Sequence, residues 1–159
     1  MKNGIVTAIK WEPTGSSASN AVRELPALAH EYFRAGRKAV KGDKTPRELH
    51  RFRVRTKRFR YALEMFRPVY GKNLENLLEK LQELQKRLGK ISDAYTIREL
   101  LKDDAAQKKH LHEHGKKLIA DFKEHWKTVF DAPPQEQQWV STLGKIPDQT
   151  QDGGSGSNE

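Results

Sequence analysis

Four cationic side chains recur at helical spacing near the middle of the chain. His50, Arg53, Lys57 and Arg60 are separated by three, four and three residues, which predicts that they share one face of an α-helix. We call these four residues the basic row. The row would span about 15 Å of helix axis, with one side chain about every 5 Å. Arginine forks and a lysine point charge at this spacing suit the binding of successive phosphates of a polyanion.

The helix that carries the basic row also has apolar residues on two sides of it. The predicted core stripe is Leu49, Phe52, Thr56, Phe59, Leu63 and Phe66. A second, smaller apolar strip is formed by Val54, Tyr61 and Met65. Cations with apolar residues on both sides indicate the floor of a groove, and the alternative is a Lys/Arg-rich solvated face. For His50, the alternative to ligand binding is a neutral histidine at the core edge that bonds a backbone carbonyl.

Further cations on the same and neighbouring helices are candidate binding residues. They are Arg34, Arg37, Lys41, Arg58, Lys80 and Arg87. Lys38 accompanies the first three on the preceding helix, where a basic outer face without ligand is the alternative. Arg51, Arg55 and Arg58 point away from the basic row, and two interpretations stay open for them: a second ligand strand, or solvent.

The positive charge of the chain is confined to one region. The 159 residues carry a formal net charge of +9, yet residues 30 to 73 alone hold 14 Lys and Arg against 4 Asp and Glu. The remainder holds 16 against 17 and is nearly neutral. A segregated field of this kind predicts a polyanionic partner. The length predicts one compact domain.

Cysteine and long apolar stretches are both missing from the sequence. The lack of cysteine excludes disulfides, thiolate metal sites and a thiol nucleophile. No segment approaches 18 consecutive apolar residues, so we expect no membrane association and a cytoplasmic protein.

The periodicity predicts an all-α fold, an antiparallel bundle of about four to six helices. Residues 1–18 are predicted to be a leader or linker, residues 19–146 the bundle, and residues 147–159 a flexible Gly/Ser-rich tail. The leader segment IVTAIKW could pair as a short strand.

The first two helices have clear boundary signals. The first is expected from a cap at Ser19 or Asn20 to Lys41, with Pro26 tolerated only within or near the first turn. The second is expected from a capping box of Thr45 and Glu48, with Pro46 at the first helical position, to near Arg67-Pro68.

The later helices follow from leucine spacing and from Gly and Pro. A third helix is predicted over residues 73 to 88, with Gly89 as its left-handed C-terminal residue. A fourth would begin at Ser92 or Asp93 and end near Leu101. A fifth would occupy residues 105 to 130, and a short segment at 135 to 143 would return Trp139 to the bundle.

Enzymatic and metal-binding motifs are absent from the sequence. There is no P-loop, GxSxG, HExxH or DxD cluster, so we expect a protein without catalytic residues and without a cofactor. His110 and His114 could share a helix face, but four neighbouring lysines make the local field unfavourable for a cation. We therefore expect no metal site.

The residues of the basic helix and the helix after it resemble a known family. The motifs are His50-x-x-Arg53, then Lys57-Arg58-x-Arg60-Tyr61-Ala62-Leu63-Glu64, then Leu84-Gln85-x-x-Leu88-Gly89-x-x-x-Asp93. Together they resemble the CHAD family, the conserved histidine α-helical domain proteins that bind inorganic polyphosphate. The resemblance covers about residues 20 to 130, and most strongly residues 47 to 101. It implies a non-catalytic polyphosphate-binding protein, with possible association with polyphosphate granules.

The chain departs from the family pattern in size. Members of that family usually contain two copies of the helical unit, whereas one copy is found here, of the form of their second copy. The resemblance therefore implies that half of the usual groove is missing, and we expect a homodimer to supply it. Nucleic acid is the competing partner, and it is disfavoured because only Tyr61 among the aromatic residues flanks the basic row.

Overall fold

A computed structural model describes residues 12–101 and 103–147 of the chain. In chain order the helices are α1 (Ser17–Val40), α2 (Pro46–Met65), α3 (Arg67–Tyr70), α4 (Lys72–Leu100), α5 (Ala105–His125), which continues as a π-helical turn at Trp126–Phe130, and α6 (Gln135–Leu143). Every regular element of these residues is helical, which confirms the predicted all-α bundle. The predicted leader strand and most of the predicted tail lie outside the described residues.

Helix α1 begins earlier than predicted and contains Pro26 in its interior. The hydroxyl of Ser16 accepts a hydrogen bond from the amide of Ser19 at 3.0 Å, so the cap falls inside the predicted leader. Pro26 is well beyond the first turn, and the prediction that it would lie near that turn is wrong. Leu25 and Ala29 beside it are fully buried. Their packing offsets the hydrogen bond that proline removes.

The N-terminal boundary of α2 and its core stripe are both confirmed. Thr45 Oγ1 accepts from the Glu48 amide at 3.2 Å, and Glu48 Oε2 accepts from the Thr45 amide at 2.7 Å. These two bonds form the predicted capping box. All six residues of the predicted core stripe are buried. The helix ends at Met65, and the short α3 follows with Pro68 in its first turn.

Helix α4 is one continuous helix of 29 residues, so the predicted break at Gly89 is wrong. Among the described residues the glycines with positive φ are Gly42 and Gly71, and Gly89 keeps helical backbone geometry. The buried stripe runs on through Leu88 and Ile91. Packing of that stripe outweighs the roughly 1 kcal/mol that a mid-helix glycine costs relative to alanine.

The chain then returns over the core through α5, the π-helical turn and α6. The Asp131 amide donates to the Trp126 carbonyl at 2.9 Å, and this wider turn stacks the rings of Trp126 and Phe130 in parallel, with centroids 4.8 Å apart. Helix α6 lies where the short C-terminal segment was predicted, and Trp139 is buried.

An aromatic cluster fixes α1 against α2 and the C-terminal helices. Tyr32 of α1 stacks on Phe59 of α2, with centroids 4.6 Å apart, and its hydroxyl donates to Thr56 Oγ1 at 2.8 Å. Burial of the hydroxyl raises the pKa of Tyr32. The Gly36 backbone lies against the Trp126 indole, because an added Cβ would come within 1.9 Å of Trp126 Cη2. These contacts fix the rotation of α2 and turn its cations outward.

Helix α2 packs on the first two thirds of α4. Arg60 contacts Gln85 and Arg53 lies beside Gly89, so the two helices run antiparallel. Helix α5 packs on the C-terminal half of α4, where Gly115 faces Tyr95. None of the helices in the described ranges is long and apolar enough to cross a membrane.

Candidate anion-binding site

The basic row lies on the side of α2 that faces solvent and α4. His50 and Lys57 are exposed, and Arg53 and Arg60 are half-buried. His50 bonds no backbone carbonyl or other group of the described residues, so the core-edge alternative is not adopted. Its ring is available to solvent beside the other three cations.

A shallow cleft of about 520 Å³ lies where α2 meets the outer face of α4. We call it the α2–α4 cleft. Its charged lining residues are Arg53, Arg60, Lys86, Arg87 and Lys90, with the acidic residues Glu83 and Asp93. The remainder of the lining is Gln82, Gln85 and Gly89. Five cations against two carboxylates give the cleft a net positive charge.

Arg53 is the half-buried member of the basic row that makes no ion pair with the described residues. Its Nε atom is buried, and it has no hydrogen-bond partner among the described residues. A Cβ added at Gly89 would lie 3.8 Å from this atom, so the guanidinium rests against bare helix backbone of α4. A half-buried cation that lacks a carboxylate partner is suited to an external anion.

Arg60 is partly neutralised within the protein. Its Nη1 donates to Gln85 Oε1 at 2.9 Å, and its Nε lies 3.2 Å from Glu64 Oε1. The Arg60 guanidinium also lies 5.3 Å from the ring centroid of Tyr61, and Lys57 Nζ lies 5.8 Å from it on the same ring. The Tyr61 ring therefore holds two members of the basic row near each other.

The second apolar strip does not enclose the basic row. Tyr61 is 45% exposed and Met65 is 67% exposed, while Val54 is half-buried. At 100° per residue these three residues lie almost opposite the core stripe, so they face outward. The interpretation of the basic row as a groove floor between two apolar walls is wrong. One wall of the cleft is α4, and the other side is open.

Two of the further candidates, Arg37 and Lys80, have partners elsewhere in the protein. Arg37 Nη1 lies 2.8 Å from Glu136 Oε2 and 3.6 Å from Asp131 Oδ1, and the hydrogen bond to Glu136 raises the pKa of Arg37. Lys80 Nζ donates to Gln135 Oε1 at 3.3 Å, at the start of α6 and outside the lining of the α2–α4 cleft. Arg37 and Lys80 thus both contact the C-terminal region.

Arg87 does line the cleft, but its charge is balanced by Asp121 of α5 and by Glu83. Burial, and after it the positive charge of Arg87, lower the pKa of the neighbouring His125. Arg34, Lys41 and Arg58 are exposed and make no hydrogen bond or ion pair through their side chains within the described residues. Their charge is available, although none of the three lines the cleft.

Sequence reasoning missed Lys86 and Lys90, which supply the α4 side of the cleft. Their i, i+4 spacing on the face opposite the leucine seam was a usable signal. The predicted helix break at Gly89 concealed it, because the break placed the two lysines on different elements.

A second cationic pocket lies on the opposite flank of α2. We call it the α1–α2 pocket; it measures about 260 Å³. Its cations are Lys38, Lys44, Arg51 and Arg55. Arg51 and Arg55 thus point away from the basic row, as predicted, and they face α1.

The histidines of α5 do not form a metal centre. Within the described ranges, no three His, Asp or Glu side chains are grouped closely enough to hold a metal ion. His112 Nδ1 instead lies 3.1 Å from Arg98 Nη1. His110 and His114 are exposed.

The family comparison agrees with the basic helix and its cleft. The model of the CHAD domain matches residues 6–102, more than half of the chain. The chain belongs to the CHAD domain family. The match includes the basic row together with Lys86 and Lys90, and it ends between the last residue of α4 and the first residue of α5. No curated protein and no solved structure matches the chain.

The extent of the CHAD match differs from the resemblance inferred from the motifs. It begins at residue 6, inside the predicted leader, and it ends before residue 130. Helices α5 and α6 lie beyond it, yet they contribute Trp126 and Trp139 to the same core. These C-terminal helices therefore complete the hydrophobic core around the CHAD-matched helices.

Proposed function

We propose that this CHAD-domain protein binds inorganic polyphosphate along the α2–α4 cleft, without transforming it. The observation that carries the proposal is Arg53, a half-buried guanidinium without a carboxylate partner among the described residues, in a cleft that Lys86 and Lys90 also line without an ion pair there. Polyphosphate carries a negative charge on every unit and has no bases or apolar surface. A receptor for it needs closely spaced cations and little else.

The arrangement of cations suits a flexible chain of phosphates. Arg53 lines the cleft from α2, and Lys86 and Lys90 line it from α4. His50 and Lys57 do not line the cleft, but they are exposed on the same row of α2 as Arg53. A polyanion lying between the helices would contact both sets, and each contact would be a charge-assisted hydrogen bond. Lys86, Lys90 and Lys57 are exposed, so they can adjust to successive phosphates.

Competition binding tests the proposal directly. Labelled long-chain polyphosphate would be displaced by unlabelled polyphosphate, single-stranded DNA, double-stranded DNA and RNA, all at matched charge and salt concentration. We expect polyphosphate to compete at least about tenfold more strongly than any nucleic acid. Equal competition by all four polymers would indicate a general electrostatic patch and would contradict the proposal.

Nucleic-acid binding is the second candidate function, and the exposed ring of Tyr61 is the observation in its favour. An exposed aromatic side chain between cations can stack on a base. Tyr61→Leu would remove the stacking surface while keeping the charge. We expect this change to leave polyphosphate affinity within about twofold, whereas a nucleic-acid binder would lose roughly 1 to 3 kcal/mol.

We propose that the chain acts as a homodimer that brings two basic rows together. Its support is the exposed apolar strip, in which Tyr61 and Met65 lack a covering element in the described part of the chain. Like charges would oppose assembly until a polyanion screens them, so dimerisation and polyphosphate binding should be positively linked. Sedimentation with and without long-chain polyphosphate tests this. A protein that stays monomeric in both conditions while binding tightly would contradict it.

The same proposal includes two further expectations: the protein does not hydrolyse polyphosphate, and it lies where polyphosphate accumulates in the cell. Phosphoryl-transfer enzymes hold metal ions through carboxylates, and the two acidic residues of the cleft lie among five cations. Incubation of polyphosphate with the protein and Mg²⁺ should release no orthophosphate. A fluorescent fusion should be cytoplasmic and should co-localise with polyphosphate granules.

A further inference from the structure

The α1–α2 pocket is separate from the cleft of the proposed function. It lies between the second half of α1 and the first half of α2, on the flank of α2 turned away from α4. None of its lining residues lines the α2–α4 cleft. Any ligand held here would therefore meet a different set of side chains.

Four cations converge on this pocket from two helices and the loop between them. Lys38 extends from α1, Lys44 from the loop, and Arg51 and Arg55 from α2. Arg51 and Arg55 are one helical turn apart, so their guanidiniums project from the same flank. The side chains of Lys38 and Arg55 make no hydrogen bond or ion pair with the described residues.

One carboxylate, that of Glu48, also lines the pocket, but it is engaged in the helix cap. Its Oε2 accepts the Thr45 amide at 2.7 Å. This backbone hydrogen bond chiefly lowers the pKa of Glu48, and the charges of Lys44 and Arg51 add to the effect. The carboxylate is ionised near neutral pH and balances one of the four cations, so an excess of positive charge remains in the pocket.

The floor of the pocket holds the two helices in fixed register. It is formed by Ala35, Ala39 and Phe52, and Phe52 stacks on Tyr32 of α1 with ring centroids 5.5 Å apart. The apolar floor reduces competition from water for a bound anion. Lys38, Arg51 and Arg55 are thus carried by helices that packed core residues hold together, and Lys44 extends from the loop between them.

We propose that the α1–α2 pocket is a second anion site, which binds a short condensed phosphate such as tripolyphosphate. Tripolyphosphate carries about four negative charges near neutral pH, close in size to the net charge of +3 that four cations and Glu48 give the pocket. A pocket of about 260 Å³ admits a short ligand, and its position on the other flank of α2 keeps it apart from a chain in the α2–α4 cleft. The ligand is either a free oligophosphate or the end of a long chain. The proposal does not depend on long-chain binding in the cleft.

Isothermal titration of the full chain with tripolyphosphate in Mg²⁺-free buffer tests the proposal. The variants are R51Q/R55Q in the pocket, R53Q/K57Q in the basic row, and K116Q/K117Q on the exposed surface of α5 as a control with the same loss of charge. K38Q/K44Q removes the opposite wall of the pocket and serves as an independent variant if R51Q/R55Q unfolds. Circular dichroism would verify the fold of each.

We expect one tripolyphosphate per chain, with affinity reduced at least about tenfold in R51Q/R55Q and K38Q/K44Q and less than about threefold in the other two variants. Equal losses in all four variants, or no binding to the wild type at millimolar tripolyphosphate, would overturn the proposal. The titration is then repeated with the α2–α4 cleft saturated by long-chain polyphosphate. This repeat distinguishes a free oligophosphate from the end of a long chain as the ligand of the pocket. Unchanged binding indicates a site for free oligophosphate, and blocked binding indicates that the pocket holds the end of the long chain.

The two proposals can fail separately. Loss of tripolyphosphate binding in R51Q/R55Q, with no measurable binding of long-chain polyphosphate to the wild type, would support the pocket and contradict the proposed function. Loss of long-chain binding in R53Q/K57Q would support the proposed function. If K116Q/K117Q then weakened tripolyphosphate binding as much as R51Q/R55Q does, the pocket proposal would be contradicted.

Discussion

Arg53 of α2 lies against Gly89 of α4, and a Cβ at position 89 would be 3.8 Å from the Arg53 Nε atom. This relationship joins the fold to the candidate site. The continuous path of α4 through Gly89 provides a bare stretch of helix, and the Arg53 guanidinium occupies the space above it. The buried Nε has no hydrogen-bond partner within the described residues, and Arg53 lines the cleft.

The first prediction compares the two flanks of α2 in long-chain polyphosphate binding. R53A/K57A removes two cations of the basic row, and R51A/R55A removes two from the opposite flank. We expect a loss of about 100-fold for the former and less than about fivefold for the latter, because charge-assisted hydrogen bonds depend on position as well as charge. Fluorescence titration at fixed salt would measure both. Equal losses would reduce the site to a diffuse electrostatic patch.

The second prediction concerns salt. If five to eight cations neutralise phosphates, the logarithm of the affinity should fall with the logarithm of the salt concentration at a slope of roughly −4 to −6. Orthophosphate and pyrophosphate should compete poorly with the long chain, because each contacts only part of the basic row. Titrations at four salt concentrations would give the slope. A slope near zero would be incompatible with binding through the cleft.

The third prediction tests the continuity of α4. Gly89→Ala should raise the free energy of unfolding by up to about 1 kcal/mol, because alanine is the better helix former and the added Cβ meets only Arg53, at ordinary contact distance. Polyphosphate affinity should change less than about twofold. Urea denaturation would measure the stability. A destabilised variant would indicate that residue 89 ends a helix after all.

Gly36→Ala provides the contrast to Gly89→Ala. The same substitution in α1 would place a Cβ within 1.9 Å of Trp126 Cη2, where both the indole and the helix are packed. We expect a loss of about 1 to 3 kcal/mol or more from overpacking. A neutral effect at position 36 would show that Trp126 does not pack on α1 in this way.

The fourth prediction concerns acid stability through Glu136, which joins α6 to α1. Burial raises the pKa of this carboxyl, but hydrogen bonds from Arg37 and His30 and their charges together outweigh it, so the pKa lies below its ordinary value of 4.5. The ion pair therefore stabilises the fold above pH 4.5, and the stabilisation is lost as the pH falls through the lowered value. Glu136→Gln should lower the melting temperature at pH 7 by a few degrees, about the effect of 1 kcal/mol.

The same variant provides the control for that prediction. Wild type and Glu136→Gln should approach each other in melting temperature as the pH falls from 5 to 3, because protonation removes the charge that the substitution removes. Parallel curves across this range would show that the ion pair does not contribute.

The sequence predicted α2 and its faces correctly because the signals are local. Thr45, Pro46 and Glu48 bond within one helical turn, and the core stripe follows from 100° per residue. The same rotation of 100° per residue places the basic row on one flank of α2 and Arg51 and Arg55 on the other. The match to the CHAD domain covers both helices that carry the quoted motifs.

Tertiary packing decided the rest, because it competes with local preference. Gly89 reads as the end of a helix and Pro26 as a residue of a first turn, yet both lie inside helices that buried neighbours keep continuous. Arg37 reads as a ligand contact, and the return of α6 pairs it with Glu136, 99 residues away. The cleft itself, with Lys86 and Lys90 opposite Arg53, exists only once α2 lies against α4. Helix periodicity tells which way a side chain points, whereas the residues opposite it depend on contacts distant in sequence.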